Sequence, residues 1–366
     1  MKLAPVMGIT RIANISGLDT IGVPVYAAHR PNSRSLSVMQ GKGCTHADAK
    51  ASALMEAVET YHAETIDLPL RLNSHAELGC QYNVIDVSRL PESKDRAFTP
   101  YARILWIEGA DMMSGEKKFV PYEMVHLDYR VDLPCGHGCF IPSSNGLASG
   151  NHMLEALIHA TCEVIETDAL ETWRLKGDAA RRADKVSLDT VADRRCLDIL
   201  GLFRRAQVHV GVWDITNGSG IPAFLCRILP DIAPDISGLR PASGMGCHLS
   251  KDVALLRALT EAAQSRLTFI AGSRDDLDRE AYKMFLSPEN HARWLESISD
   301  LPPSARDFSD IVSCHGDSLE RDMDTLLDKL RESGIEEAVA VDLTKPAFGI
   351  PVVRVIIPGL KGSAEP

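Results

Sequence analysis

Residues 151–174, NHMLEALIHATCEVIETDALETWR, form a helix-length stretch in which apolar residues at helical spacing are interleaved with acids. Leu154, Leu157, Ile158, Val164 and Ile165 mark it for the interior, yet Glu155, Glu163 and Glu166 stand among them. At about 100° per residue, Glu155 lies about 80° from Glu163 and about 20° from Glu166, with Asn151 and His159 about 40° to either side. All five share one face. A solvated acidic stripe is the ordinary home of such charges, but too little of this wheel is polar to make an outer surface. Three like charges on one apolar helix call for an internal cleft and for cations to neutralise them.

Two further helices repeat the pattern. The segment from Thr45 or His46 to Glu64 places Ser52, Glu56 and Glu59 within about 60° of one another, among Ala53, Leu54, Ala57 and Val58. The segment 250–272 places Arg257, Glu261 and Gln264 on one face and has Ser250 at its N-cap. Strand-like runs lie between: 22–31, 34–43, 103–108, 118–120, and 208–216 with 221–229, joined by the hairpin signal NGSG. A helix within 317–334 and strands at 337–344 and 351–358 close the chain. Strands that alternate with long helices, some joined as hairpins, predict an α/β chain of mixed α+β type.

With 366 residues and 45% hydrophobic content the chain can bury a large core. No low-complexity linker divides it. One catalytic domain is expected over 1–366, with N-terminal strands in 1–44, a binding core in 45–272 and a C-terminal helix and strand region in 273–366, of which 272–310 reads as a surface excursion. A net charge of −11, with no Lys/Arg run beyond pairs such as those in RRAD (181–184) and FRRAQ (203–207), argues against nucleic acid as partner. No apolar stretch is long enough to span a bilayer and no signal-peptide core opens the chain, so a cytoplasmic protein without a membrane partner is expected. Nine scattered cysteines, an odd number, suit reduced thiols.

Carboxylates and amides without a matching His/Cys set are hard oxygen ligands, the donor chemistry of Mg²⁺, which is commonly shared with phosphates. Neither a Walker A loop nor a strand-borne GxGxxG occurs, and SGMGCH satisfies neither pattern. A nucleotide would therefore be held by acids and metal.

On these residues the sequence resembles the YcaO family, over most of its length. QGKGCTHADAKASALMEAVE matches the Gly-Lys-Gly lead-in and the Ser-x3-Glu-x2-Glu element, NGLASGNHMLEALIHATCEVIE the Asn-x3-Glu-x7-Glu-x2-Glu element, and EAAQSRLTFIAGSRDD the Glu-x2-Gln-x-Arg element followed by Gly-x-Arg-Asp. The resemblance implies mixed and antiparallel sheets packed with long helices and an ATP/Mg²⁺ cleft between subdomains. It implies Glu56, Glu59, Glu155, Glu163 and Glu166 as metal ligands, and Arg11, Lys42, Ser52, Asn151, Glu155, Glu261, Gln264 and Arg266 as nucleotide-binding residues. Arg266 and Arg274 are the implied catalytic arginines. Thr60 and Thr167 stand where the family often has Arg, so phosphate contacts must come from Arg11, Arg266 or Arg274.

The family uses ATP to phosphorylate a peptide amide oxygen after a nucleophile has added to the carbonyl. An external sulfide then gives a thioamide, a Cys, Ser or Thr side chain an azoline, and an amine an amidine. Azoline formers commonly end in alternating prolines, whereas this chain ends VVRVIIPGLKGSAEP. That end, together with GITRIANISGLDTIGVPV, resembles the branch associated with TfuA proteins. Thioamidation of a peptide or protein substrate is therefore implied, with a TfuA-like partner delivering sulfur from a sulfide source, and with a homodimer. A cyclodehydratase is the alternative enzyme, and a leader-peptide or partner-binding scaffold the alternative without catalysis.

Several smaller features admit two readings each. Cys135, His137 and Cys139 form either a metal site short of a fourth ligand or a turn. Lys42 fits a phosphate contact or a plain strand-to-helix turn, Arg11 and Arg274 phosphate contacts or surface ion pairs, and His159 a Glu-orienting group or a core histidine. Trp106, Trp173, Trp213 and Trp294 read as packing residues.

Overall fold

The computed structural model describes residues 3–94, 96–130, 136–230, 241–273, 288–300, 302 and 305–362. In chain order its strands are β1 (Arg11–Asn14), β2 (Val25–His29), β3 (Val38–Lys42), β4 (Leu70–Ser74), β5 (Arg103–Asp111), β6 (Lys117–Pro121), β7 (Leu147–Ser149), β8 (Val186–Ser187), β9 (Val208–Asp214), β10 (Ala223–Pro230), β11 (Ala242–Cys247), β12 (Arg306–Asp307), β13 (Val339–Asp342) and β14 (Val352–Ile356). The described helices are α1 (His46–Glu64), α2 (His75–Gly79), α3 (Met153–Arg174), α4 (Asp178–Ala183), α5 (Arg194–Arg205), α6 (Lys251–Ala271), α7 (Pro288–Ser299) and α8 (Leu319–Glu332). The mixed α+β class and the three long helices follow the sequence reading, and none of the described helices is long and apolar enough to cross a membrane.

Contacts divide the chain into two compact units. The first comprises 1–32, 36–57 and 172–314, and the second 33–35, 58–171 and 315–366. In the first, β1-β2-β3 and β11-β10-β9 are antiparallel sheets. Strand alternation sends Val210, Val212, Phe224, Cys226 and Ile228 into a core shared with Ile199 and Phe203 of α5 and with Leu255, Ala258 and Leu259 of α6. Helix α5 escaped the sequence reading, which saw only its exposed Arg204 and Arg205; its buried face, Cys196, Ile199 and Phe203, has helical spacing.

Two glycine pairs let helices lie directly on strands. A Cβ at Gly41 would sit 1.9 Å from the Ala53 backbone nitrogen of α1, and one at Gly246 2.0 Å from the Ala254 carbonyl oxygen of α6. The glycines of QGKG and SGMG thus serve backbone packing. Helix α6 starts after Ser250, whose side chain makes no capping bond, and stops at Gly272 in the left-handed region.

In the second unit the sheet runs β4-β5-β13-β14-β7, with β6 on the other side of β5. Gly146, at φ +78°, precedes β7; a Cβ there would lie 2.4 Å from the Val355 carbonyl oxygen and 2.7 Å from Val164 of α3. The Gly-rich entry to α3 is therefore a steric requirement. The eight described cysteines are thiols.

Candidate functional site

The first unit carries Lys42, Ser52, Glu56, Glu261, Gln264 and Arg266. Between each glycine pair, the backbone N–H is taken by a helix side chain: Lys42 N donates to Ser52 Oγ at 3.4 Å, and Met245 N to Glu261 Oε1 at 3.1 Å. Glu261 Oε2 also accepts from Lys42 Nζ at 2.6 Å, so the two residues expected at a nucleotide neutralise each other here. Gln264 Nε2 donates to the Gln40 carbonyl at 3.3 Å. Glu56 is exposed on α1, and Arg11 is exposed on β1 opposite His29.

Arg266 sits in a buried ion pair. Its Nε and Nη2 donate to the two carboxylate oxygens of Asp19 at 2.8 and 3.1 Å, and both side chains are 2% exposed. Its remaining nitrogen, Nη1, is buried as well, with no hydrogen-bond partner. Arg266 is an anchor for α6. Arg274, the other expected catalytic arginine, lies outside the described residues.

The second unit carries Glu59, Asn151, Glu155, Glu163 and Glu166. Glu59 is buried at the end of α1, where its Oε1 accepts from Ser149 N at 2.8 Å and Ser149 Oγ at 2.5 Å. Glu155 Oε2 accepts from Asn151 N at 2.9 Å, which closes the first turn of α3. Glu166 is buried, Glu155, His159 and Glu163 are half-buried, and Asn151 is exposed. Thr167 Oγ1 donates to Asn145 Oδ1 at 3.1 Å rather than presenting a substitute for arginine. Among the described residues no three His, Cys, Asp or Glu side chains converge as metal ligands. Glu155 settles on a donor of its own segment and Glu59 on Ser149, 90 residues away in sequence.

Sequence reasoning missed Arg354. It stands on β14, 3% exposed, with Nε and Nη1 lacking acceptors. Burial lowers its pKa to about 10, and the nearby Glu163 carboxylate pulls against that shift. A single basic residue within VVRVII carries no local signal of such a role; only the pairing of Arg354 with Leu147 across β7 brings it to the α3 side of the chain.

Of the two readings of the Cys135, His137 and Cys139 stretch, the described residues favour the turn. Cys135 lies outside the described residues, and His137 Nε2 sits 2.5 Å from Nε2 of buried His126. Cys139 is buried, its thiol pKa raised by burial and then by Glu123. Glu123 Oε2 accepts from Gly138 N at 2.7 Å and Cys139 N at 3.2 Å, so this segment is a carboxylate-braced turn.

Carboxylate and amide oxygens, with no thiolate among them, are donors of the kind that suit Mg²⁺ and a phosphate-bearing ligand. The comparisons agree. The family model described as YcaO cyclodehydratase, ATP- and Mg²⁺-binding, matches residues 40–361. An uncharacterised protein in the tfuA 3′ region of Rhizobium leguminosarum bv. trifolii is 36% identical over 363 residues, covering 97% of this chain and 84% of that protein. An uncharacterised protein of Methanothermobacter thermautotrophicus is also 36% identical, over 362 residues, covering 97% of this chain and 90% of its own length. Two solved structures share the fold. A heterocyclase in complex with substrate and cofactor superposes with a TM-score of 0.79 at 24% identity, over 96% of this chain but only 50% of the heterocyclase. The YcaO protein of Methanopyrus kandleri bound with AMPPCP and Mg²⁺ superposes with a TM-score of 0.74 at 21% identity, over 98% of this chain and 88% of the other. The glutamate-faced helices, the mixed α+β fold and the match over 40–361 together place this chain in the YcaO family, whose members bind ATP and Mg²⁺.

Proposed function

We propose that this protein uses ATP to phosphorylate a backbone amide oxygen of a peptide or protein, so that sulfur replaces that oxygen and a thioamide results. The observation that carries the reading is the face of α3 bearing Asn151, Glu155, Glu163 and Glu166, matched by Ser52, Glu56 and Glu59 on α1. Bound Mg²⁺ would supply charge neutralisation on the phosphates.

The chain's own contribution is to hold carboxylates in place. Asn151 fixes Glu155 at the start of α3, Ser149 fixes Glu59, and buried Arg354 offsets the charge of Glu163. Sulfide adds to the amide carbonyl, the oxyanion takes the terminal phosphoryl group of ATP, and departure of phosphate with loss of a proton leaves C=S. Phosphoryl transfer of this kind depends chiefly on positioning and charge. The relative in the tfuA 3′ region supports sulfur as the nucleophile and a TfuA-like partner as its source. A homodimer is part of the same reading.

Glu155→Ala and Glu163→Ala should each lower peptide-dependent ATP turnover at least about tenfold, as loss of a group that positions transferring phosphate does. Unchanged turnover in both would sink the site assignment. Mass spectrometry of the product separates the chemistries: sulfide-dependent exchange of oxygen for sulfur supports thioamidation, whereas loss of one water without sulfide would establish a cyclodehydratase.

A further inference from the structure

Away from the glutamate faces, the first unit carries a partly open cavity of about 470 Å³ lined by Trp173, Trp213 and Arg227 together with residues of α4 and α7. Strand alternation builds it. The side chains of Cys226 and Ile228 enter the core against α5 and α6, so Arg227 between them projects from the opposite face of the sheet. Across the ladder it faces Gly211. A Cβ there would lie 2.9 Å from the Trp213 ring and 3.3 Å from the Ile298 Cα of α7, so the glycine lets the indole lean over the strand beneath the helix.

Three of the chain's four tryptophans ring the Arg227 guanidinium, with centroids at 5.5 Å for Trp173, 5.2 Å for Trp213 and 5.2 Å for Trp294. No carboxylate among the described residues pairs with this cation. Asp178 is taken by Arg181, and Asp300 by Arg182. Burial, and then the nearby charges of Arg181 and Arg174, lower the Arg227 pKa to about 10, which still leaves it charged at neutral pH. Two N–H donors on the lining are buried without acceptors, Arg227 Nε and Trp173 Nε1, and Trp173 is 3% exposed. Buried donors are rarely left unpaired. In a chain of net charge −11, the lining carries five cations against Asp178, Glu296 and Asp300.

We propose that this cavity binds a carboxylate borne on an aromatic or aliphatic group. A carboxylate supplies one negative charge for a guanidinium that no described carboxylate pairs, and its two oxygens match the fork of that guanidinium. The indole walls take the apolar part, and the volume lies in the range of small-ligand pockets. A phosphate dianion fits less well, because Arg181, Arg182 and Lys185 are engaged with Asp178, Asp300 and backbone carbonyls, and the indole walls add too few donors to replace its hydration. The ligand has two sources, a free small carboxylate or an acidic residue flanked by an aromatic one in a peptide. The inference does not rest on amide activation.

The test is titration of the full-length protein with 3-phenylpropionate, its neutral amide, inorganic phosphate and the capped dipeptide acetyl-Glu-Phe-amide, read by tryptophan fluorescence and calorimetry. Saturable binding of a carboxylate, at least about tenfold tighter than the amide, is expected, and Arg227→Gln should weaken it at least about tenfold. Tighter binding of the dipeptide than of phenylpropionate assigns the peptide source, and the reverse assigns the free acid; both support the site. No saturable signal up to about 20 mM, equal affinity for the amide, or binding of phosphate alone would overturn it. If Arg227→Gln does not fold, Trp294→Leu replaces it with the same tenfold loss expected, and the carboxylate–amide comparison on the unaltered protein needs no variant.

Discussion

Asp19→Asn isolates what the Arg266 guanidinium does. In the native chain the two side chains make a two-pronged contact at 2.8 and 3.1 Å, each 2% exposed, so neither charge has water to fall back on. Asparagine keeps one acceptor oxygen and nearly the same volume but removes the countercharge. Breaking a buried pair from one side costs about 3–5 kcal/mol, because a charge is stranded in the interior. With a urea dependence of about 3 kcal/mol per molar, the unfolding midpoint should fall by about 1–2 M. Trp173, Trp213 and Trp294 all lie in the first unit, so tryptophan fluorescence reports its unfolding directly. Replacing both partners with apolar residues, Asp19→Leu with Arg266→Met, should restore most of the lost stability. A midpoint shift below about 0.3 M for Asp19→Asn would refute the anchoring role. Failure of ATP turnover to return in a folded double variant would restore Arg266 to the list of groups that touch the nucleotide.

Two further outcomes follow from packing and burial. Gly246→Ala should destabilise the first unit by about 3 kcal/mol, the upper end for overpacking, because the added carbon meets helix backbone that cannot rotate away; a urea midpoint equal to that of the unaltered protein would contradict the backbone-on-backbone packing. His126 is buried, and that burial, reinforced by His137, holds its pKa down to about 4 from an ordinary 6.5. The unfolded chain then binds a proton that the folded chain refuses between pH 6.5 and 4, so stability present above that window declines as pH falls through it, by at most about 1.4 kcal/mol per pH unit. His126→Gln should remove this part of the acid slope in urea midpoints followed by circular dichroism, and an unchanged slope would show that His126 protonates freely.

The helix faces were legible because they are local. Once a segment is helical, the spacing of Glu155, Glu163 and Glu166 fixes their common side whatever surrounds them, and α1, α3 and α6 begin and end within two residues of the expected positions. The hairpin of β9 and β10 was legible for the same reason, with its turn chemistry and its alternation close together in sequence. Strand β11 was not. Its residues ASGMGC are small and poor in strand formers, and they make a strand because β10 pairs with them and α6 needs the missing side chains.

Partners chosen across long separations belonged to the tertiary structure alone. Arg266 lies 247 residues from Asp19, so its motif position gave no warning that its charge is spent on an internal pair. Lys42 and Glu261, 219 residues apart, were both expected at a nucleotide and were found bonded to each other. Arg227 drew no attention in FLCRIL, since nothing local says that three tryptophans from distant segments will surround it. The amino-acid sequence by itself determined which residues share a helix face, and with that the family and its ATP and Mg²⁺ chemistry. Which charges are sealed in pairs, which glycines carry a helix and which cation stands among tryptophans in a cavity depended on contacts that form only when remote segments meet.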